Sequence, residues 1–320
     1  EDVARFILND AALSSRLKTL RHDLLSQTRS FRNTLITARD SERDVTAFIK
    51  ESMSRSDLND VVAANARRVT ESLRVLEEFS KLPDAGLDPM KFKRARFTVY
   101  EIEKELSGKV ARSGKKISGL YVIIDREALG VREEVDACRQ AIRGGANIIQ
   151  LRDKMHNKPA LLNSAIKLKE SCASSGVPFI MNDDLDIALA SGADGLHIGQ
   201  EDIPVSVARR LLPIDKLIGC SADTVQEARK AEADGADYVA VGSIYPTKSK
   251  SDIDVVGLAR LREIREAVSL PIVAIGGIDA NNARDVIYAG ADAVAVISAV
   301  LASDDIEKAT RIIAERLEAR

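Results

Sequence analysis

The sequence predicts an α/β protein in which a (β/α)8 TIM barrel follows a smaller all-α domain. Glycine divides the two parts: only Gly86 and Gly108 of the 18 glycines precede residue 110, whereas six of the seven phenylalanines lie there. After residue 118, eight short apolar runs are each followed by a stretch with helical periodicity. Uninterrupted apolar strands that alternate with helices indicate a parallel sheet buried on both faces. Eight such units in roughly 200 residues match the lower size limit of this barrel.

The front of the chain is predicted to be helical. Apolar residues recur every three or four positions in VVAANARRVTESLRVLEEFSKL, and a single turn containing proline and glycine follows. We expect a helical domain over 1–107, truncated at its N-terminus because Glu1 falls inside a weak repeat, and a basic linker over 108–118. The linker faintly resembles a P-loop, but five residues instead of four separate its glycines, and no Ser or Thr follows its lysine.

The barrel is expected over 119–320. Its eight apolar runs are, in order, GLYVIID, ANIIQLR, VPFIMN, DGLHIG, KLIGCS, DYVAVG, PIVAIGG and DAVAVIS. Four of them follow the phrase Gly-Ala-Asn or Gly-Ala-Asp, which begins at Gly145, Gly192, Gly235 and Gly290. Each of these glycines can end a helix in the left-handed conformation. A doubly wound open sheet is the alternative, but it would not usually need eight strands.

Composition excludes several classes of protein. The 47 basic and 49 acidic residues give a net charge of -2, which leaves no large positive surface for nucleic acid. No apolar run approaches the 18 or more residues of a membrane helix. The three cysteines, Cys138, Cys172 and Cys220, are odd in number and lack CxxC spacing, which argues against a disulfide framework or a zinc site. We expect a cytoplasmic enzyme that acts on small molecules and can form a homo-oligomer.

The residues that follow the apolar runs are the candidate site, because active-site groups of such a barrel lie at the C-terminal ends of its strands. In strand order they are Gln150, Arg152, Asp153 and Lys154; Asn182, Asp183 and Asp184; Gln200, Glu201 and Asp202; Ser221; Thr247, Lys248, Ser249 and Lys250; Gly276 and Gly277; Ile297 and Ser298. Cations, amides and carboxylates thus meet at one mouth.

Two carboxylates suggest a metal site. Asp183 and Asp202 follow neighbouring strands, so they can face one another, and hard oxygen ligands without histidine or thiolate favour Mg²⁺. The alternative use of either aspartate is to cap the helix that follows it. Cations beside a magnesium site, here Arg152 and Lys154, indicate phosphate chemistry, in which the metal bridges phosphate oxygens and the cations neutralise the rest.

A second anion position is expected on the other side of the mouth. The loops after strands seven and eight are the recurrent phosphate site of this fold, where backbone N–H groups left uncovered by glycine bind the anion. Thr247 and Ser249 supply hydroxyl donors toward this position, and Lys250 can lean toward the first phosphate. Lys248 lies in the same loop, for which a solvated position is the plain interpretation.

Six segments that contain the candidate site residues resemble the thiamine-phosphate synthase family. QLRDK, MNDDLDIALASGADGLHIGQEDIP, IGCSADT, VGSIYPTKSK, AIGGI and AVISAV match it in order and spacing over residues 118–320. The resemblance implies that 4-amino-2-methyl-5-hydroxymethylpyrimidine diphosphate is joined to 4-methyl-5-(2-phosphoethyl)thiazole, giving thiamine phosphate and pyrophosphate. It implies a pyrimidine-diphosphate site of Gln150, Leu151, Arg152, Asp153, Lys154, Asn182, Ser221 and Lys250, a thiazole-phosphate site of Thr247, Lys248, Ser249, Gly277, Ile297 and Ser298, and magnesium on Asp183 and Asp202.

The implied reaction agrees with what the sequence lacks. A ring nitrogen attacks a methylene as pyrophosphate leaves, so positioning and charge neutralisation suffice without a base or covalent nucleophile. Arg152, Lys154, Ser221 and Lys250 are the expected catalytic residues, and they would act with Mg²⁺. Two positions depart from the family pattern: Asp184 replaces a common arginine and Asp223 a frequent histidine. A barrel that isomerises the thiazole carboxylate phosphate is the alternative, but it is not expected to retain this set.

The front resembles a different family, the second type of hydroxymethylpyrimidine-phosphate kinase domain, which occurs fused ahead of this synthase. The matching stretches are EDVARFILND, LRHDL, TARD and ANARRVTESLRVLEEFSKL, over residues 1–105. The resemblance implies ATP-dependent phosphorylation of the pyrimidine monophosphate. A lost half-site would leave the domain inactive, and a helical dimerisation module without enzymatic activity is the alternative.

Overall fold

The computed structural model describes residues 1–37, 54–247 and 255–318, which fall into two compact units, Glu1–Gly114 and Lys115–Arg320. Among these residues, no helix has both the length and the apolar character needed to cross a membrane.

The described part of the first unit is helical. A short π-helical segment, Val3–Ile7, precedes α1 (Ala11–Gln27), a 3-10 turn (Arg29–Phe31), α2 (Arg32–Thr37), α3 (Leu58–Phe79) and α4 (Pro89–Ser113). Helix α4 begins with a proline at its first position, and the side chain of Asp88 accepts a hydrogen bond from Met90 N at 2.9 Å. Helices α3 and α4 pack together around buried Leu73 and Phe92.

Helix α4 extends into the segment that the sequence predicts as a linker. The predicted linker covers 108–118, whereas the helix continues to Ser113. Leu106 and Val110 are buried in the core of the first unit, and Lys109 forms an ion pair with Asp10 at the start of α1. These contacts offset the cost of about 1 kcal/mol that a glycine brings to a helix interior.

The second unit alternates strands and helices. The strands are β1 (Gly119–Asp125), β2 (Ile148–Arg152), β3 (Phe179–Asn182), β4 (Gly195–Ile198), β5 (Leu217–Ser221), β6 (Tyr238–Val241), β7 (Ile272–Ile275) and β8 (Ala293–Val296). The helices are α5 (Arg126–Leu129), α6 (Glu134–Arg143), α7 (Lys158–Ser174), α8 (Leu185–Ser191), α9 (Val205–Leu211), α10 (Val225–Ala233), α11 (Gly257–Ala267), α12 (Ala283–Tyr288), α13 (Ser298–Leu301) and α14 (Ile306–Glu318).

The strands close into a barrel, which confirms the predicted fold class. All neighbours are parallel, and β1 pairs with β8 through Gly119–Ala293 to Val122–Val296. Side chains alternate between two cores because successive residues of a strand point to opposite faces. Tyr121 and Ile123 of β1 lie in the core inside the barrel, whereas Val122 lies in the core between strands and helices.

The repeated Gly-Ala-Asp/Asn sequence links neighbouring strands by hydrogen bonds at the N-terminal end of the barrel. All four glycines have positive φ, between 69° at Gly192 and 110° at Gly290, as the sequence predicts. The acid or amide then accepts a hydrogen bond from the first residues of an adjacent strand. The four bonds are Leu120 N to Asn147 at 2.7 Å, Phe179 N to Asp194 at 3.0 Å, Ile218 N to Asp237 at 2.8 Å and Ile272 N to Asp292 at 2.8 Å.

Asp237→Ala is expected to lower the free energy of unfolding by about 2–4 kcal/mol, because it strips Ile218 N of its acceptor and Arg209 of its ion-pair partner. Asp237→Asn is the matched control: Asn147 shows that an amide can accept the strand bond, so this variant loses the ion pair alone and should cost less. Urea unfolding monitored by circular dichroism measures both. Equal losses in the two variants would contradict the assigned role of the strand bond.

Candidate active site at the barrel mouth

The strand ends place four of the predicted site residues on the inside of the barrel. Gln150 and Arg152 share the inward face of β2, Asn182 ends β3 and Ser221 ends β5. Leu151 differs, because the alternation of the strand turns its side chain outward into the core between strands and helices, where it is fully buried. Its side chain therefore cannot line the mouth as the sequence predicts.

Asp183, Lys154 and Asp202 come together at the mouth. Lys154 donates a hydrogen bond to Asp183, which has a left-handed backbone (φ 60°). Burial raises the pKa of Asp183; the bond from Lys154 opposes this, and the neighbouring Asp202 carboxyl adds to it. Asp202 is oriented by Gly199 N, which donates to its Oδ2 at 2.7 Å. Two carboxyl groups close enough to perturb one another form a site that a divalent cation would neutralise.

Neither aspartate is used as a helix cap. In the described structure, α8 starts after Asp184 and α9 after Pro204, and neither helix has a side-chain hydrogen bond at its N-cap. The alternative role considered from the sequence is therefore not observed. Both carboxylates remain at the mouth of the barrel.

Arg152 is held by Asp125, a residue that the sequence analysis missed. Its Nη1 lies 2.5 Å from Oδ2 of Asp125, whose side chain is only 6% exposed. Asp125 is the last residue of β1, and it also caps α5 by accepting from Ala128 N at 3.0 Å. The signal was present in the sequence, since Asp125 directly follows the first apolar run. The cation at the end of β2 is thus fixed from the neighbouring strand.

The carboxylate of Asp153 is bonded within the turn that follows β2, which differs from its predicted role in binding the pyrimidine diphosphate. Its fully buried carboxylate accepts from Met155 N and His156 N and lies 2.6 Å from Nδ1 of His156. With Glu134 these two residues form a trio of possible metal ligands in the described part of the chain. Arg126 Nη1 already lies 3.2 Å from Oε1 of Glu134, so a cation occupies that position. The trio holds the turn that carries Lys154.

The charge of Asp184, which replaces an arginine common in the family pattern, is balanced by a neighbouring lysine. Lys158 forms ion pairs with Asp184 and, at 2.9 Å, with Asp186. The extra negative charge of Asp184 is therefore paired with a cation. Asp223, the second departure, accepts at 3.4 Å from Gly242 N at the end of β6.

The other side of the mouth carries the candidate thiazole-phosphate residues. Gly276 and Gly277 follow β7 with φ of 100° and 63°, which L residues rarely adopt. A Cβ atom at Gly277 would lie 2.6 Å from Pro246 O, so the turn after β7 packs directly on the loop after β6. Ile297 is half-buried and Ser298 exposed after β8, and Thr247 is half-buried. Lys248, Ser249 and Lys250 lie outside the described residues.

A line of buried polar side chains crosses the inside of the barrel below the mouth; we term it the interior chain. Gln150 Nε2 donates to Tyr121 Oη at 3.1 Å, and the Oη atoms of Tyr121 and Tyr238 are 3.1 Å apart. His197 continues it, with Nδ1 3.2 Å from Tyr238 Oη and Nε2 3.1 Å from Ser221 Oγ. Predicted residues on β2 and β5 are thereby joined through three side chains that the sequence analysis did not assign.

Burial lowers the pKa of His197 to about 4, compared with about 6.5 in an unfolded chain. Between these values the unfolded state binds a proton that the folded state does not, so stability falls as the pH falls. From pH 7.5 to pH 5 this residue is expected to cost about 2 kcal/mol. Urea unfolding at both pH values tests this, because His197→Gln should lose that much less stability. An equal loss in both proteins would show that His197 is not buried in its neutral form.

In the first unit, helix α3 carries a stripe of exposed polar side chains. Asn65, Arg67, Arg68 and Glu71 are all exposed, and Asn65 Nδ2 donates to Val61 O of its own helix at 2.8 Å. Glu77 on the same helix is buried and forms an ion pair with Arg96 of α4 at 2.9 Å. Helix α3 thus turns Glu77 toward α4 and leaves the four polar residues named above exposed.

Known proteins resemble both units. A family model described as thiamine monophosphate synthase matches residues 120–300, and a model of the ThiD2 family matches residues 1–105. The thiamine-phosphate synthase of Thermosynechococcus vestitus is 39% identical over 325 residues, which cover 99% of this chain and 90% of that protein. The thiamine-phosphate synthase of Shouchella clausii is 46% identical over 200 residues, covering 62% of this chain and 96% of that protein.

A solved structure resembles the barrel. The thiamine phosphate pyrophosphorylase of Pyrococcus furiosus has a TM-score of 0.58 at 40% identity, covering 62% of this chain and 95% of that protein. The matched barrel carries the mouth residues described above, and the relative from Thermosynechococcus vestitus extends the match across both units. The resemblance found in the sequence is thus confirmed, and the chain belongs to the thiamine-phosphate synthase family, with a ThiD2-family segment ahead of the barrel.

Proposed function

We propose that the barrel mouth binds the pyrimidine diphosphate and the thiazole phosphate side by side and transfers the pyrimidylmethyl group between them. The observation that carries the assignment is the convergence of Arg152, Lys154 and the carboxyl pair Asp183 and Asp202 on one end of the barrel. Both substrates are small phosphorylated molecules, which suits a mouth that carries an arginine and a lysine beside a carboxyl pair.

Arg152 and Lys154 bind the diphosphate in this proposal. Asp125 fixes the guanidinium, so its planar N–H groups are aimed before the substrate arrives, and less side-chain freedom is lost on binding. Lys154 exchanges its bond to Asp183 for phosphate oxygens. Gln150, Asn182 and Ser221 line the floor beneath the pyrimidine ring. Lys250 and the backbone of Leu151 belong to the proposed set, but Lys250 lies outside the described residues.

The thiazole phosphate binds on the opposite side, against Gly277, Ile297 and Ser298. The glycine turn presents backbone N–H groups without a side chain to cover them, which suits a phosphate. Thr247 borders this position, and Lys248 and Ser249 of the same loop complete the proposed set. Because the turn after β7 packs on the loop after β6, the segments that carry Gly277 and Thr247 are held next to one another.

Asp183 and Asp202 fit a magnesium ion, which would supply charge neutralisation to the leaving diphosphate. The bond from the pyrimidine methylene to the diphosphate oxygen breaks, the thiazole nitrogen forms a bond to that methylene, and pyrophosphate leaves with the electron pair. Arg152 and Lys154 stabilise the negative charge that develops on the leaving group. No proton is transferred at either reacting atom, so the buried, neutral His197 acts in positioning and not as a base.

The direct test is an assay of the purified full chain with both substrates and Mg²⁺. The expected result is thiamine phosphate and pyrophosphate in equal amounts, with no product when the metal is chelated. Release of pyrophosphate without thiamine phosphate, or product in the absence of metal, would contradict the proposal.

For the front unit we infer pyrimidine-monophosphate kinase activity, which the match to the ThiD2 family supports. The test incubates the full chain carrying Asp183→Ala with ATP, Mg²⁺ and the pyrimidine monophosphate, so that the barrel does not consume the product. Formation of the diphosphate supports a kinase. Its absence would favour the alternative, a helical dimerisation module, which sedimentation analysis of the same protein would detect.

The cytoplasm, where the three buried free cysteines stay reduced, is the proposed location.

A further inference from the structure

The hydrogen bonds of the interior chain all donate in one direction, from Gln150 toward Ser221. Gln150 turns its amide nitrogen, a donor only, toward Tyr121 Oη. A tyrosine hydroxyl carries a single proton, so Tyr121 directs its own proton to Tyr238 Oη, 3.1 Å away. The opposite direction would leave the Tyr121 proton without an acceptor in this line, although that side chain is only 2% exposed.

The donor and acceptor of each hydrogen bond can be assigned in the same way from Tyr238 to Ser221. Tyr238, which accepts from Tyr121, donates to His197 Nδ1. A neutral imidazole with an acceptor at Nδ1 carries its proton on Nε2, which then donates to Ser221 Oγ at 3.1 Å. The proton of the Ser221 hydroxyl is therefore directed away from the chain. One end leaves the amide oxygen of Gln150 as an acceptor, and the other end leaves the hydroxyl of Ser221 as a donor.

We propose that the interior chain selects the pyrimidine by the order of its hydrogen-bonding groups, so that a 4-amino ring is accepted and a 4-oxo ring is rejected. The inference rests on the proposed function, in which the ring lies on the floor between Gln150 and Ser221. The 4-amino group donates to Gln150, and ring nitrogen N1, which lies across the ring from it, accepts from Ser221. Tyr121, Tyr238 and His197 are positioning residues that fix this order.

A 4-oxo ring presents the wrong partners. Its oxygen is an acceptor that faces the acceptor of Gln150, and in the N1–H form its other end is a donor that faces the donor of Ser221. The interior chain can adapt only by reversing all of its hydrogen bonds together, because each of its hydroxyl groups and its neutral imidazole has a single proton to give. A site built to match buried hydrogen-bonding groups rejects an analogue that leaves them unpaired more strongly than an apolar pocket rejects a change of size.

Tyr121→Phe interrupts the chain and tests its role in selection. The measurement is kcat/KM for the 4-amino and 4-oxo pyrimidine diphosphates, and the comparison of their ratio between proteins cancels the intrinsic reactivity of the two rings. The ratio is expected to fall by about tenfold or more, the worth of one to two buried hydrogen bonds. Tyr288→Phe, an exposed tyrosine whose hydroxyl accepts from Arg284, is the matched control and should leave the ratio unchanged. An unchanged ratio in Tyr121→Phe overturns the inference.

Two further measurements keep the inference testable if Tyr121→Phe does not fold. Tyr238→Phe breaks the same line one step further on and should lower the same ratio. In the unsubstituted protein, ¹⁵N NMR at pH 7, with the signals assigned by their loss in His197→Gln, should show His197 protonated at Nε2. A proton on Nδ1 would mean that the chain runs the other way and would overturn the inference. Absence of turnover with any pyrimidine would instead defeat the proposed function, since the NMR result does not depend on activity.

Discussion

Replacing Asp183 or Asp202 by alanine is expected to lower kcat/KM for thiamine phosphate formation by roughly 10³-fold, because several kcal/mol of charge stabilisation at the leaving diphosphate depend on the metal that both would hold. The two losses should not add in the double variant, since removing either ligand already opens the site. Titration with Mg²⁺ should show that each single variant no longer saturates in the range in which the unsubstituted protein does.

Asp186→Ala is the matched control for this result. Asp186 lies three residues from Asp183, but it is exposed and pairs with Lys158 instead of facing the mouth. Its loss should leave turnover and the Mg²⁺ dependence within a factor of about two, as is usual for an exposed ion pair. Undiminished turnover in Asp183→Ala and Asp202→Ala would remove the proposed metal site.

Arg152→Ala is expected to lower kcat by about 10²–10³-fold, the range found when one preorganised donor to a developing negative charge is removed. KM for the thiazole phosphate should change little, because that substrate binds on the other side of the mouth. Arg152→Lys retains the charge but loses the planar fork that Asp125 orients, so it should recover only part of the loss.

Two further variants distinguish the effect of Arg152 on the reaction from a general effect of removing an arginine. Asp125→Asn keeps the shape of the partner but removes the charge that holds the guanidinium, and a smaller decrease in kcat is expected than for Arg152→Ala. Arg143→Ala removes an exposed arginine that pairs with Glu307 at 2.7 Å and should leave kcat unchanged. An unchanged rate constant for pyrophosphate formation in a single turnover of Arg152→Ala would exclude Arg152 from leaving-group stabilisation.

The sequence predicts the barrel well because its signals are local and repeated. Eight apolar runs, each near the position of an observed strand, and four Gly-Ala-Asp/Asn phrases with positive-φ glycines follow from the chemistry of single βα units. The end of α4 is predicted less well, because Lys109 and Val110 are held in the helix by contacts with residues about a hundred positions earlier in the chain. Such contacts leave no periodic signal.

The candidate site shows the same limit at the level of side chains. The end of a strand indicates which residues lie near the mouth, but the face of the strand decides whether a side chain points into it. Adjacent residues therefore differ: Gln150 points into the barrel, whereas Leu151 lies in the core between strands and helices. Asp153 is committed to its own turn, a local use that composition cannot distinguish from ligand binding. The tyrosines of the interior chain resemble ordinary core aromatics in the sequence, because only the closed barrel brings β1 and β6 within hydrogen-bonding distance.

The most direct test of the proposed site is anomalous diffraction from crystals of the full chain soaked with Mn²⁺, in place of Mg²⁺, and pyrophosphate. The expected result is one manganese peak between the carboxylates of Asp183 and Asp202, with the pyrophosphate against Arg152 and Lys154. A peak at the trio Glu134, Asp153 and His156 instead, or pyrophosphate bound away from the strand ends, would contradict the assignment of the barrel mouth as the catalytic site.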